Sequence, residues 1–469
     1  MNTRNQTLLD KIWDPHVVSD LGGGYQLLHV DRHLLHDLGG PMSLRAIEKR
    51  DLKVRNPNLT FAVPDHCVST APNRDENSTE LGRRLIPTLR SRCEVEGITY
   101  FDIHDKEQGI VHVVGPELGL TVPGVTLVCG DSHTCTHGAF GALAWGIGTS
   151  EVNHVLATQC VIEKKPGKLR ITFTGKAPLG VTAKDMILYV IGKHGATLGI
   201  GCGVEFAGDA VQSLSMEERM TLCNLSIELG SKIGQISPDD TTYEYVKDRE
   251  FGPVGKHWDL ALKYWQSLPS GPAARFDREI QIETPEIAPQ ITWGTSPEHT
   301  IGINDAVPDP NDAPDSTTAA AWRAALDYIG LSPNQPIKGT PIQRVFIGSC
   351  TNSRLSDLQA AADIARRGQV AETVTAWVVP GSQRVKREAE SLGLHKIFKT
   401  AGFEWREPGC SQCVATNSEY VAPFERCVST SNRNFVGRQG PDARTHLASP
   451  AMAAFAAITG VISDIREIT

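Results

Sequence analysis

Short runs of apolar and β-branched residues alternate along this chain with longer amphipathic stretches, and this alternation restricts the possible fold more than any other feature. Runs of the first kind predict buried strands, and stretches with a period of about 3.6 residues predict helices. The elements predicted in this way are strands at Val125–Cys129, Arg344–Ile347 and Thr373–Val379, and helices at Thr149–Ile162 and Leu355–Arg367. Strand and helix in regular alternation indicate the α/β class, with parallel sheets.

The length of the chain and its local changes in composition indicate how it is divided into domains. With domains of about 100–200 residues as the norm, 469 residues predict about three. We predict α/β domains at 1–168, 169–288 and 289–469. A stretch rich in Pro, Asp and Gly at 285–341 is typical of a connector between domains.

The middle of the chain contains a clear helix start. Ser215–Glu218 has the pattern of a capping box, and it predicts one helix that continues to Gly230. Asn224 and Glu228 lie four residues apart on this helix, so we expect them to share one face.

Three cysteines are the strongest sign of chemistry. Cys410 and Cys413 form a Cys-x-x-Cys pair between glycine and small polar residues, and Cys350 follows a predicted strand about sixty residues earlier. Three thiolates leave a zinc ion or an iron–sulfur cluster with one open coordination position, as a catalytic metal needs. Cys427 is a possible fourth ligand, which would indicate a structural zinc, and ordinary buried thiols are a third alternative.

Histidines paired with carboxylates form a second group of candidates. Asp65 and His66 are adjacent, and Asp131 lies two residues before His133, each pair beside the end of a predicted strand. A carboxylate bonded to an imidazole fixes its tautomer and raises its basicity, so these pairs predict acid–base catalysis, with His112 as a further candidate. We assign His137 and His154 to ordinary buried positions.

Two arginines lie soon after the cysteine pair. Arg433 and Arg438 are five residues apart in a loop rich in Gly and Asn. The planar guanidinium suits bidentate binding of carboxylates, so the loop predicts an anion site, with ordinary surface arginines as the alternative.

Charge and cysteine usage exclude several classes of function. Lys and Arg number 46 against 54 Asp and Glu, and the net charge of −8 disfavours nucleic acid as a partner. Neither end of the chain has the apolar run of a signal or membrane segment. The eleven scattered cysteines do not form the framework of a secreted disulfide protein, so we expect a cytoplasmic protein.

Four motifs in order closely resemble the aconitase superfamily. They are Asp131–Thr134, Ile347–Ser353, Pro408–Cys413 and Ser429–Phe435. Two further segments, Val30–His36 and Arg444–Ala454, and also Trp293–Thr295, resemble more narrowly the large-subunit family of the bacterial 3-isopropylmalate dehydratases. The resemblance covers essentially the whole chain.

The resemblance implies three aconitase-type α/β domains packed around a central cluster cleft, and it assigns a role to each candidate residue. Cys350, Cys410 and Cys413 would hold one [4Fe–4S] cluster, with one iron not ligated by cysteine. That iron would bind the hydroxyl and a carboxylate of a small hydroxy diacid. The remaining roles are acid–base chemistry for Asp65, His66, His112, Asp131, His133 and Glu228, substrate binding for Ser132, Asn224, Arg433 and Arg438, and hydrogen bonding to the cluster for Asn352 and Asn432.

Family members also use a swivelling fourth domain that carries a serine base. This chain ends soon after the third predicted domain, so the resemblance implies that a separate small subunit supplies the fourth. The roles of His33 and His36 are left open by the motifs.

The implied reaction is dehydration and rehydration of a 2-alkylmalate, with 2-isopropylmalate converted to 3-isopropylmalate in leucine biosynthesis. Cys202 and Gly39–Leu44 depart from the family pattern. A related enzyme acting on citraconate, another 2-alkylmalate or a homoaconitate-like acid is therefore an alternative. A non-catalytic iron–sulfur or zinc regulator is an alternative of a different class.

Overall fold

Alternating strands and helices fold into parallel sheets in the computed structural model, which describes residues 3–468. In chain order the helices are α1 (Leu8–His16), α2 (Gly40–Glu48), α3 (Glu80–Glu96), α4 (Val111–Leu118), α5 (Thr149–Thr158), α6 (Ala183–His194), α7 (Asp209–Gln212), α8 (Met216–Asn224), α9 (Asp240–Val246), α10 (Lys256–Trp265), α11 (Ser316–Ile329), α12 (Leu355–Ala365), α13 (Gln383–Ser391), α14 (Leu394–Thr400) and α15 (Pro450–Thr459). The strands are β1 (Val17–Gly22), β2 (Tyr25–His29), β3 (Arg32–His36), β4 (Thr60–Val63), β5 (Thr99–Tyr100), β6 (Thr126–Cys129), β7 (Leu143–Gly146), β8 (Cys160–Lys164), β9 (Gly167–Thr174), β10 (Cys202–Ala207), β11 (Ile233–Ile236), β12 (Arg278–Glu283), β13 (Gln290–Thr292), β14 (Thr300–Gly302), β15 (Arg344–Ile347), β16 (Thr375–Val378), β17 (Glu404–Trp405), β18 (Arg426–Ser429) and β19 (Arg444–Leu447).

The described residues form two compact units. Unit 1 contains the described residues up to Cys67, together with Glu76–Lys176 and Gly199–Glu283. Unit 2 contains Val68–Asp75, Ala177–Leu198 and the described residues from Thr284 onward. Both units are discontinuous in sequence.

Unit 1 contains two parallel sheets. Their strand orders are β5-β4-β3-β6-β7 and β11-β10-β9-β12, and every neighbouring pair in both is parallel. An antiparallel sheet, β1-β2-β8, lies in the same unit. The core beside the first sheet includes Phe61, Val114 and Leu127, which the sheet and α4 contribute.

Unit 2 contains the parallel sheet β17-β16-β15-β18-β19 and the hairpin β13-β14. All three parallel sheets share one topology, in which the first strand lies in the middle and the chain winds first to one side and then to the other. In such sheets, ligands bind beyond the carboxyl ends of the strands where the winding reverses. In the two five-stranded sheets this point lies between β3 and β6 and between β15 and β18.

The α/β class and the parallel sheets are confirmed, but several predicted boundaries are wrong. The helix predicted at Thr149–Ile162 ends at Thr158, because Gln159 adopts a left-handed backbone conformation (φ +61°) and Cys160–Lys164 pairs with β2 instead. The predicted helix at Leu355–Arg367 ends at Ala365.

The helix predicted from Ser215 to Gly230 is also shorter than expected. The capping box is present, but α8 ends at Asn224, and Ile227–Leu229 forms a separate 3₁₀ turn. The backbone of Leu225 is no longer α-helical (φ −83°, ψ +6°), and this interrupts the helix. Asn224 and Glu228 therefore do not share a helix face.

The stretch 285–341, predicted to be a connector, contains the hairpin β13-β14 and the fourteen-residue helix α11, and it lies within unit 2. The division into domains at 1–168, 169–288 and 289–469 stays a prediction. Among residues 3–468, no helix is both long and apolar enough to cross a membrane.

Candidate functional site

Three neighbouring strands of unit 1 end in ionisable side chains. His36 and Asp37 stand at the end of β3, Asp65 and His66 follow β4, and Asp131 follows β6. These strands flank the point where the winding of the sheet reverses, so the topology itself brings the five side chains to one edge. The Asp/His pairs therefore lie where the strand pattern predicted them.

His66 is held between two carboxylates. Its Nδ1 lies 2.5 Å from an oxygen of Asp65, and its Nε2 lies 3.2 Å from Oδ2 of Asp131. Burial alone would lower the pKa of His66, but the charges of Asp65 and Asp131 and their hydrogen bonds raise it well above its ordinary value. The two carboxylates therefore favour the protonated form of His66.

Asp131 is the acceptor shared by three histidines. Besides His66, it accepts from Nε2 of His112 at 3.1 Å and from the backbone N–H of His133 at 2.7 Å. Burial would raise the pKa of Asp131, but the bonds from His112, His133 and His66 hold it well below its ordinary value. The carboxylate is thus a fixed negative charge that orients the surrounding rings.

His112 continues into a chain of hydrogen bonds that the sequence did not reveal. Its Nδ1 lies 3.0 Å from Nε2 of His137, and Nδ1 of His137 lies 2.6 Å from Oγ1 of Thr121. When both rings are neutral, each has one donor and one acceptor nitrogen, so the carboxylate of Asp131, which only accepts, sets the direction of every bond. His112 then donates to Asp131, His137 to His112, and Thr121 to His137. His137 is buried, as predicted, and its two ring nitrogens extend the network from His112 to Thr121.

Glu228 and Asn224 both reach the 3₁₀ segment Ser132–Phe140, although they do not share a helix face. Oε1 of Glu228 lies 2.9 Å from Nε2 of His133, and Nδ2 of Asn224 donates to Oγ1 of Thr136 at 2.8 Å. Ser132 opens this segment, with its Oγ 3.5 Å from Nδ1 of His133. All six predicted acid–base residues therefore belong to one connected network in unit 1.

The end of β3 adds two residues to this network. Asp37 accepts the backbone N–H groups of His66 and Cys67 at 3.0 and 2.8 Å, which fixes the turn after β4. The ring of His36 lies 4.5 Å from that of His66, centroid to centroid. Desolvation and the neighbouring His66 cation lower the pKa of His36, so His36 is a neutral neighbour of His66.

The three candidate cysteines lie in loops of unit 2 at the corresponding edge of its sheet. Cys350 follows β15, while Cys410 and Cys413 follow β17. The residue before Cys350 and the residue after Cys410 are both serines with positive φ, +83° for Ser349 and +48° for Ser411. Such strained conformations persist where the surroundings over-determine them, often at ligand sites.

Hydrogen-bonding groups surround the thiols. Sγ of Cys413 donates to Oγ of Ser349 at 3.1 Å and lies 3.6 Å from Oδ1 of Asn432. Nδ2 of Asn432 donates to Sγ of Cys350 at 3.5 Å. Asn352, the other predicted cluster neighbour, donates to Asp357 at 2.9 Å.

Cys427 lies within β18, in a buried cluster that also contains Cys413. It pairs with Arg344 at the amino end of β15 and packs in the core with Phe346 and Val421, whereas Cys350 lies beyond the carboxyl end of the same strand. Burial raises the pKa of the Cys427 thiol. It is therefore a core residue rather than a fourth ligand.

A buried carboxylate anchors the loop of the cysteine pair. Glu419 accepts from Oγ of Ser411 and from the backbone N–H of Thr70, both at 2.6 Å, and from Arg406 at 3.1 Å. Burial alone would raise the pKa of Glu419, but these donors lower it. The sequence did not reveal this anchor, because Thr70 lies more than three hundred positions before Glu419.

The two predicted substrate-binding arginines lie in the loop after β18. Both are half-buried. The guanidinium of Arg438 lies 5.4 Å from the ring centre of Phe435, and among residues 3–468 it forms no ion pair. A half-buried cation without a carboxylate is suited to binding an anion.

The residues fit a three-cysteine cluster. The thiols are 5–7% exposed, and serine and asparagine side chains are in hydrogen-bonding range of the sulfurs. Side chains of this kind stabilise and tune cluster sulfur atoms. A fourth cysteine at this edge of the sheet is not found among the described residues.

Comparisons with known proteins place the chain in a family. The chain matches the model of the aconitase family (aconitate hydratase) over residues 10–460. It is 58% identical over 468 residues to 3-isopropylmalate dehydratase large subunit 1 of Bradyrhizobium diazoefficiens strain USDA 110, covering 100% of this chain and 98% of that protein. A solved structure, the holo-form of aconitase X from Thermococcus kodakaraensis, matches with a TM-score of 0.47 and 12% identity over 94% of this chain and 90% of that one.

Proposed function

Because this chain belongs to the aconitase family, we propose that it is the large subunit of a hydro-lyase that converts 2-isopropylmalate to 3-isopropylmalate in leucine biosynthesis. The observation that carries this proposal is that one chain holds both chemistries the reaction needs. Unit 1 has a histidine held between two carboxylates, and unit 2 has three thiols in loops with hydrogen-bonding side chains. A regulator that only bound a metal would have no need of the first.

Dehydration requires a proton for the departing hydroxyl. We assign this role to His66, which Asp65 and Asp131 keep protonated. Asp131 holds the rings of His66 and His112 in place, and Glu228 does the same for His133. General acid catalysis by a positioned group contributes about 10²–10⁴-fold to a rate.

Cys350, Cys410 and Cys413 would hold one [4Fe–4S] cluster per chain, with Asn352 and Asn432 as its polar neighbours. When bound, this cluster supplies a Lewis-acidic iron without a cysteine ligand, suited to the hydroxyl and a carboxylate of the substrate. Arg433 and Arg438 bind the carboxylates of the hydroxy diacid, and Ser132 and Asn224 line its site.

The Bradyrhizobium relative is named as a large subunit. We propose that this chain likewise pairs with a small subunit, which carries the swivelling domain and the serine base, and that the enzyme works in the cytoplasm. The chain alone is then expected to have little activity.

The test is to purify the chain anaerobically with and without a co-expressed small subunit and to offer 2-isopropylmalate, citraconate, citrate and homocitrate. We expect the complex to turn over 2-isopropylmalate. The reaction is monitored through the absorbance of the unsaturated intermediate. Faster turnover of one of the other acids would identify that acid as the substrate instead. No turnover of any of the four, or equal rates with and without the small subunit, would contradict the proposal.

A further inference from the structure

A completely buried lysine in unit 2 has no role in the function proposed above. Lys184 lies in the first turn of α6, and its side chain is 0% exposed. Its Nζ donates to the backbone carbonyls of Thr430 at 2.5 Å and of Ser431 at 2.6 Å. Among residues 3–468 it forms no ion pair.

This position costs stability. A cation in the first turn of a helix opposes the helix dipole, and a buried ammonium without a counter-ion loses its hydration. Burial lowers the pKa of Lys184 to about 7, and the negative charge of Asp357 only partly opposes that effect. Against this cost stand the two hydrogen bonds that Lys184 donates to backbone carbonyls.

The two carbonyls show what the lysine fixes. Thr430 and Ser431 directly precede Asn432, whose amide contacts the sulfurs of Cys350 and Cys413. The side chain of Thr430 also holds this segment, because its Oγ1 donates to the backbone carbonyl of Gly348 at 2.9 Å. Lys184 therefore holds the backbone of the two residues that directly precede Asn432.

We propose that Lys184 is a positioning residue for the cluster, acting through Asn432. Its two hydrogen bonds hold the Thr430–Ser431 backbone so that the amide of Asn432 stays in range of the cysteine sulfurs. The inference rests on the proposed cluster. It adds a residue 246 positions before the segment that it holds.

Reduction potential is the readout that separates this role from a merely structural one. Hydrogen bonds to the sulfurs are among the factors that set the potential of a cluster. An amide that donates to a sulfur stabilises the more negative, reduced state. Loss of the bond therefore lowers the potential, and loss of Lys184 should do the same by releasing Asn432.

The experiment is a double-mutant cycle on the cluster-loaded complex, with Lys184→Met, Asn432→Ala and both together. Lys193→Met, on the exposed side of the same helix, is the control. We expect each single variant to lower the potential, the double variant to equal Asn432→Ala, and the control to match the wild type. Contacting residues in one network are non-additive in this way.

Two results would overturn the inference: a potential for Lys184→Met equal to that of Lys193→Met, or additive shifts in the double variant. Should Lys184→Met fail to fold, Lys184→Gln keeps N–H donors without the charge, and its potential is expected to match that of Lys193→Met. A potential for Lys184→Gln as low as that of Asn432→Ala would then overturn the inference. A wild-type protein that takes up no cluster would instead contradict the proposed function itself.

Discussion

At the scale of single residues, Asp131 is the centre of the network in unit 1. Its two carboxylate oxygens serve His66, His112 and the backbone of His133. The sequence suggested its pairing with His133, whereas its contacts with His66 and His112 come from residues 65 and 19 positions away that the strand order brings to one edge. A local motif can be recognised in a sequence, whereas contacts between residues so far apart in sequence depend on the order of the strands.

Replacing Asp131 by Asn should disable catalysis and weaken the fold. The amide leaves the His66 cation with one carboxylate and loses an acceptor. We expect the specific activity to fall by at least about 100-fold and the free energy of unfolding in urea to fall by about 3 kcal/mol. Asp259→Asn, at an exposed position of α10, is the control. Activity within about twofold of the wild type would exclude Asp131 from the mechanism.

The pKa shifts of this network also predict how stability depends on pH. The pKa of Asp131 is lowered from 3.8, so its contribution is present above that value and is lost as the pH falls through the lower folded pKa. The pKa of His66 is raised from 6.5, so its contribution is full below 6.5 and is lost as the pH rises through the higher folded pKa.

The difference in unfolding free energy between the wild type and Asp131→Asn should therefore be greatest between these limits. It is measured by urea unfolding of both proteins across the acidic and alkaline range. We expect the difference to shrink on the acid side below about pH 4. A difference that stayed constant throughout would show that these groups do not titrate differently on folding.

At the scale of elements, loops after strands carry the site, and their anchors come from distant segments. The position of Cys350 beyond a strand was predictable, because it follows a short apolar run and a glycine. The short strand before Cys410 and Cys413 was not, because charged residues interrupt its apolar pattern. The anchors Glu419 and Lys184 were not, because they act on loops through partners far away in sequence. The early end of α5 was also hidden, since a left-handed Gln159 gives no strong signal.

Replacing Glu419 by Gln should loosen the loop of the cysteine pair. The carboxylate accepts from Ser411, Thr70 and Arg406, and the amide has only one acceptor oxygen. We expect a loss of about 3 kcal/mol in unfolding free energy and faster loss of iron from the reconstituted protein. Glu404→Gln is a matched control, because Glu404 pairs with the same arginine from an exposed position. Equal iron loss in both variants would argue against the anchor.

At the scale of the whole molecule, three parallel sheets repeat one winding, and two of them carry polar clusters where the winding reverses. The strand pattern and the motif order made the α/β class and the family predictable. The discontinuity of the two compact units was not, because it depends on which distant segments pack together.

The central claim is that Cys350, Cys410 and Cys413 hold a cluster with one iron free of cysteine. The most direct measurement is the metal content and visible spectrum of the protein after anaerobic reconstitution with iron and sulfide. We predict a brown protein with about four irons per chain, one of which is lost first on mild oxidation, and no stable cluster in Cys410→Ser. A colourless protein that binds a single zinc ion would contradict the account.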